Sequence, residues 1–113
     1  MGQTAIDVAG VVRDFVGALS ERVRVERVIL FGSRARGEAT EATEASDIDL
    51  LIVSPDFGGD ALADYTLLYG CIPPLDVDVD AIPRTPEQVA AAEPDSFLAT
   101  VLEDGVVVYP SGG

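Results

Sequence analysis

The sequence predicts an α+β fold, a small mixed β-sheet with helices packed on one face. Two observations support this prediction: short runs of β-branched and aliphatic residues recur along the chain, and segments with apolar residues at helical spacing alternate with them. The 113 residues suffice for one hydrophobic core, and no linker rich in proline, glycine or serine divides them. We therefore expect a single domain over residues 1–113.

The first half of the chain predicts a helix, a strand, a short helix and a second strand. Residues 4–20 place apolar side chains on one face of an amphipathic helix: Val8, Val12, Phe15, Val16 and Leu19. The apolar run 28–31 reads as a buried strand that ends at the tight turn Gly32-Ser33, where a short helix can begin. Residues 47–53 form the next strand-like run.

The second half predicts a helix, a strand, a helix and a last strand. Residues 58–69 read as a helix whose inward side chains are Leu62, Tyr65, Leu68 and Tyr69. Pro73-Pro74 breaks the chain before the alternating strand 76–82. Pro94 opens a helix that ends near Gly105, and a final strand follows it.

The turn Gly32-Ser33 is a candidate phosphate site. Glycine leaves room for a phosphate against the backbone, and a helix that starts at Ser33 would direct unpaired N–H groups at the same anion. Arg34 and Arg36 add guanidinium donors close by. Taken alone, the same residues also fit an ordinary turn with a helix N-cap.

Asp47 and Asp49 form a candidate metal site at the start of the second strand. The period of two places both carboxylates on one face and Ile48 on the other. At ~4 Å and an effective dielectric of ~20 their repulsion is about 4 kcal/mol. A bound cation would reverse its sign, and Mg²⁺ favours oxygen ligands. The alternative is two solvated charges at an exposed strand end.

A third alternating strand can complete the site. Its aspartates, Asp76, Asp78 and Asp80, lie on one face. If this strand neighbours the one with Asp47, then Asp78 or Asp80 could complete a three-carboxylate cage for two divalent ions, the arrangement used for in-line displacement at phosphorus. The alternative is an acidic edge that faces solvent.

Together these residues resemble the DNA polymerase β-type nucleotidyltransferase superfamily, and within it the minimal nucleotidyltransferases. The resemblance is carried by residues 32–37, residues 46–51, the strand and Thr-Pro-Glu turn of residues 80–87, and the last helix and strand, residues 97–109. The spacing departs from the family in one respect, because thirteen residues separate Ser33 from Asp47 where about ten are usual. The excess is a Thr-Glu-Ala repeat, which reads as a lengthened, acidic surface loop.

The resemblance implies specific roles. Gly32 and Ser33 would hold the β- and γ-phosphates of a nucleoside triphosphate, with Arg34 and Arg36 as helpers. Two Mg²⁺ ions would be ligated by the carboxylates of Asp47, Asp49 and Asp80, with Asp78 as the fallback for Asp80. Asp80 would also help to activate the acceptor hydroxyl, which attacks the α-phosphorus.

Composition excludes several other classes of function. The chain contains no histidine, which removes Ser-His-Asp and Cys-His catalysis, and its lone Cys71 reads as a reduced thiol. Seven arginines and no lysine stand against twenty acidic residues, so we expect no direct binding of nucleic acid. No run reaches membrane-spanning length and no signal peptide is evident, which favours a cytoplasmic location away from the membrane.

Small members of the superfamily resemble the antitoxin half of toxin–antitoxin pairs, whose toxin is a helical HEPN ribonuclease. The first hypothesis is therefore transfer of AMP from ATP to a hydroxyl of such a partner, with a tyrosine as the expected acceptor. A second is a binding module that has kept the fold and neutralises the partner by contact alone. A homo- or hetero-oligomer is compatible with either hypothesis. A third is a nucleotidyltransferase for a small molecule, such as an aminoglycoside, whose site a helical subunit completes.

Overall fold

The computed structural model describes residues 8–32, 48–73 and 79–110. These residues form four helices and four strands in the order α1 (Val8–Leu19), β1 (Arg27–Phe31), β2 (Ile48–Val53), α2 (Ala61–Gly70), β3 (Val79–Arg84), α3 (Pro86–Ala90), α4 (Phe97–Asp104) and β4 (Val106–Tyr109). The short helix predicted after Ser33 lies outside the described residues.

The four strands form one mixed sheet in the order β3-β2-β1-β4. Strand β1 pairs antiparallel with both β2 and β4, whereas β2 and β3 are parallel. A parallel pair needs a long connection, and α2 provides it between β2 and β3. The α+β class and the mixed sheet predicted from the sequence are confirmed.

The larger apolar cluster lies between α1 and one face of the sheet. Helix α1 buries the face that its spacing predicts, including Val12, Phe15 and Leu19. The strands contribute alternate residues, such as Leu50 and Ala81, to the same cluster. Apolar residues that recur every 3.6 positions in the helix and every second position in the strands therefore pack together in one core.

A second cluster lies on the opposite face, so the prediction of helices on one face only was wrong. Ile29, Leu51 and Val53 are buried there together with Val101 of α4. Arg27 and Asp49 apart, every residue of β1 and β2 is apolar, which is typical of strands covered on both sides. The sheet is therefore sandwiched, with α1 on one face and α4 on the other.

Helix α2 differs from its predicted orientation. Asp60 caps its first turn by accepting hydrogen bonds from the N–H groups of Leu62 and Ala63. Of the four side chains predicted to point inward, only Leu68 is buried, whereas Leu62 is 77% exposed and Tyr69 46% exposed. The helix packs beside the edge strand β3 rather than over the sheet, so only one narrow side of it reaches the core.

Local capping explains the ends of the last two helices. Thr85 and Gln88 form a reciprocal capping box at α3, so the predicted Thr-Pro-Glu turn is the first turn of a short helix. Helix α4 begins after the cap Ser96, two residues beyond Pro94, and it ends at Gly105 as predicted. A side chain at Gly105 would collide with Ile29 and with the carbonyl oxygen of Val101, so glycine allows α4 to end directly against β1.

Candidate active site

The candidate site lies at the end of the sheet where β1 finishes and both β2 and β3 start. Phe31 of β1 is the register partner of Asp49 in β2, and Asp49 is the register partner of Asp80 in β3. Directly paired residues of neighbouring strands share a face, and the strands are about 4.8 Å apart. The three side chains therefore form a row across the sheet on the face that carries α4.

Asp49 and Asp80 bring two carboxylates together on adjacent strands. Asp49 is half-buried and Asp80 is exposed, and both line the same cavity. Two carboxylates at this spacing repel each other unless a cation or a hydrogen-bond donor lies between them. The pair therefore concentrates negative charge at this end of the cavity.

Gly32 fits directly against this pair. Its φ of 82° lies in the left-handed region, which residues with a side chain rarely adopt. A Cβ atom at this position would overlap the carboxylate oxygen Oδ2 of Asp49. Two independent features therefore favour glycine at this position: the backbone conformation and the close approach of the carboxylate.

A cavity of about 560 Å³ opens over the row. One wall comes from α4, where Phe97 packs edge to face on Phe31 with ring centroids 5.7 Å apart. The other wall comes from α2, which contributes Tyr65 and Tyr69. The volume is within the range of pockets that hold small ligands.

Tyr69 also contacts the backbone of β3. The N–H of Ala81, the residue that follows Asp80, donates a hydrogen bond to the Tyr69 hydroxyl oxygen at 3.3 Å. The Tyr69 ring lies 6.4 Å from the ring of Tyr65, one helical turn away. Helix α2 is therefore joined to the strand that carries the second carboxylate.

Of the residues predicted from the sequence, the structure brings together Gly32, Asp49 and Asp80. The other predicted residues lie outside the described part of the chain: Ser33, Arg34, Arg36, Asp47 and Asp78. The register of β3 places Asp80 directly opposite Asp49, and the choice of Asp80 over Asp78 stays a prediction.

Sequence reasoning missed the residues that form the walls of the cavity. Tyr65 and Tyr69 have the spacing of core residues, and only the position of α2 beside the sheet edge brings them to the site. Phe97, Thr100 and Asp104 reach it because α4 ends against β1. Gly105 was the one sequence feature that could have indicated the position of α4, since a glycine at a helix end allows close approach to another backbone.

The carboxylate pair suits a hard divalent cation. Within the described ranges, no group of three or more potential metal ligands occurs, so the described residues supply two carboxylates, Asp49 and Asp80, and no complete ligand cage. Mg²⁺ is commonly held by one or two carboxylates while phosphate oxygens and water complete its shell. The donor set therefore fits Mg²⁺ bound together with a phosphorylated substrate.

A mixed sheet with paired carboxylates on adjacent strands, beside a glycine turn, is the arrangement expected of a nucleotidyltransferase. The family model for the nucleotidyltransferase domain matches residues 12–108. The chain belongs to this family, and the resemblance predicted from its motifs is confirmed. None of the helices in the described segments has the length and apolar character needed to span a bilayer.

One similar protein, from Methanocaldococcus jannaschii, is named provisionally as a protein adenylyltransferase. It is 38% identical to this chain over 103 residues, which cover 87% of this chain and 94% of the relative. The two chains therefore correspond over nearly their whole lengths.

Two solved structures have a similar fold. The first, provisionally a nucleotidyltransferase from Sulfolobus solfataricus, has a TM-score of 0.65 and 22% identity, and the match covers 95% of this chain and 87% of that one. The second is a toxin–antitoxin structure with AMP-PNP, with a TM-score of 0.59 and 22% identity over 86% of this chain and 71% of that one. At this level of identity the likeness concerns the fold alone.

Proposed function

We propose that this protein is a Mg²⁺-dependent nucleotidyltransferase that transfers AMP from ATP to a hydroxyl group of a partner protein. The observation that supports this most is the register pairing of Asp49 with Asp80 in one cavity, with Gly32 packed against Asp49. This pairing supports a site for a triphosphate and its metal ions, and the glycine allows the backbone to pass close to Asp49.

In the proposed reaction, the acceptor hydroxyl oxygen attacks the α-phosphorus of ATP. A new phosphorus–oxygen bond forms, the bond to the bridging oxygen breaks, and pyrophosphate leaves. Asp80 orients the hydroxyl and receives its proton, while Asp47 and Asp49 are the other two metal ligands. Bound Mg²⁺ would neutralise charge on the phosphates and on the leaving pyrophosphate. The catalytic gain comes mainly from position and electrostatics.

Gly32 and Ser33 are the proposed contacts of the β- and γ-phosphates, with Arg34 and Arg36 as additional donors. Gly32 follows Phe31 directly after β1, packs against Asp49 and lines the same cavity, which supports this part of the proposal. A triphosphate held there would have its α-phosphorus near the two carboxylates.

A protein is the acceptor class that the cavity rim favours. Large apolar side chains are exposed around the opening, among them Phe97 at 58% and the α2 residues Tyr65 and Tyr69. Exposed aromatic residues are typical of surfaces that dock another protein. The name of the M. jannaschii relative agrees with protein adenylylation. The partner in this proposal is a helical HEPN toxin with a tyrosine acceptor, as the resemblance to small nucleotidyltransferases implies.

The test is transfer of label from α-labelled ATP to the product of the adjacent gene, in the presence of Mg²⁺. We expect label on the partner with the wild type and at least a ~100-fold loss with Asp49→Asn or Asp80→Asn, because each removes a metal ligand or the proton acceptor. Asp14→Asn is the matched control, since Asp14 is exposed on α1 and lies outside the cavity.

Two results would contradict the proposal. If the partner is neutralised without label, and the Asp49→Asn variant neutralises it equally well, the protein acts by contact alone. If label appears on an aminoglycoside in the presence of the adjacent gene's product, and never on that product itself, the acceptor is a small molecule.

A further inference from the structure

Strand β3 is the edge of the described sheet, so half of its backbone groups face away from β2. The carbonyl of Arg84 points inward, since it accepts a hydrogen bond from the N–H of Ser54 at 3.0 Å. Alternate residues of a strand direct their N–H and C=O groups to opposite sides. The backbone groups of Asp80 therefore face β2, and those of Ala81 and Pro83 face outward.

The outward-facing residues of β3 are Val79, Ala81 and Pro83, and partners cover the N–H of Ala81 and the carbonyl of Pro83. Pro83 has no N–H to offer, and its carbonyl accepts a hydrogen bond from Nη1 of Arg84 at 2.6 Å. Ala81 does have an N–H, and this group donates to the hydroxyl of Tyr69. An edge strand without such partners has mobile backbone and is open to pairing with other chains.

This arrangement fixes the peptide next to Asp80 from both sides. The pairing with β2 holds Asp80 from within the sheet, and Tyr69 holds the following N–H from outside. The Tyr69 side chain is 46% exposed and its ring lines the cavity, so burial in the core does not explain a tyrosine there. The hydrogen bond that its hydroxyl accepts from Ala81 explains the tyrosine instead.

We propose that Tyr69 is a positioning residue, whose hydroxyl anchors the β3 edge and thereby orients the carboxylate of Asp80 toward the acceptor and the metal. The inference rests on the proposed function for the role of Asp80, whereas the anchoring itself does not depend on it. Precise orientation matters because a displacement of about 1 Å in a catalytic group can cost about 100-fold in rate.

The anchoring is tested by amide hydrogen exchange measured by NMR, without nucleotide. We expect the Ala81 amide of the wild type to be protected although it faces outward. Tyr69→Phe should raise its exchange rate about five-fold, the equivalent of one hydrogen bond of about 1 kcal/mol. Tyr65→Phe, one turn away, should leave the Ala81 rate unchanged. An unprotected Ala81 amide in the wild type would overturn the inference without any variant.

The positioning role is tested by the kinetics of label transfer. Tyr69→Phe should lower kcat about five- to tenfold and leave KM for ATP within a factor of two, because the ring and the proposed phosphate contacts are retained. A variant with wild-type kcat, or one in which KM and kcat change together with a loss of folded protein, would overturn the role. If the wild type transfers no label, the proposed function fails, while the exchange experiment still reports on the anchor.

Discussion

Replacing Gly32 by alanine is the sharpest single perturbation of this site. The φ of 82° costs an alanine about 1–2 kcal/mol, and the new Cβ would overlap Oδ2 of Asp49. A 113-residue chain changes its Tm by about 4 °C for each kcal/mol, so we expect a drop of about 4–8 °C. The displaced carboxylate should lower transfer of AMP about 100-fold, because catalytic groups tolerate little displacement.

The same substitution at Gly17 is the matched control. Gly17 lies in the interior of α1, and a Cβ there would meet no atom within 4 Å. Alanine is favoured over glycine in a helix by about 0.5–1 kcal/mol, so Gly17→Ala should raise Tm by about 2–4 °C and leave transfer unchanged. Thermal denaturation followed by circular dichroism, combined with the label-transfer assay, measures both effects. A Gly32→Ala variant with wild-type Tm and full transfer would refute the reasoning.

Three further predictions concern the core, a cap and the metal. Leu68→Ala should destabilise the fold by about 2–5 kcal/mol in urea unfolding, because Leu68 is the fully buried anchor of α2; exposed Leu62→Ala, as control, should cost far less. Thr85→Ala should cost about 1 kcal/mol by the same measurement, since it removes the cap of α3, and an unchanged midpoint would contradict the capping role. Mg²⁺ and ATP at about 100 times their dissociation constant should stabilise the wild type by about 2.7 kcal/mol, an effect that EDTA abolishes and Asp49→Asn lacks; equal stabilisation of both proteins would place the metal elsewhere.

Much of the fold could be predicted because its signals are local. The apolar spacing of α1 identifies its buried face, and the alternation around Ile48 and Asp49 separates a core side from a site side. The caps at Thr85 and Ser96 depend on residues only three positions apart. These features depend only on residues that are close together in the chain, so they can be predicted from the sequence alone.

Helix α2 shows where local signals fail. The spacing of Leu62, Tyr65 and Tyr69 is that of a buried stripe, yet these residues are exposed because the helix packs beside β3. The second core cluster was missed for a related reason. A strand such as β2, which is apolar at every position except Asp49, indicates burial on both faces, but it does not identify α4 as the cover.

For the candidate site, the sequence by itself determined the chemistry: glycine at the turn, carboxylates on two alternating strands, and no histidine to compete with them. Only the tertiary structure decided that Asp49 and Asp80 are register partners, that Gly32 lies against Asp49, and that Tyr69 anchors the strand edge. The physical reason is that side-chain type and periodicity are properties of the chain, whereas register and helix placement depend on which distant surfaces pack together. The pattern of the sequence identifies the carboxylates, but it does not identify the residues that pack or pair with them in the fold.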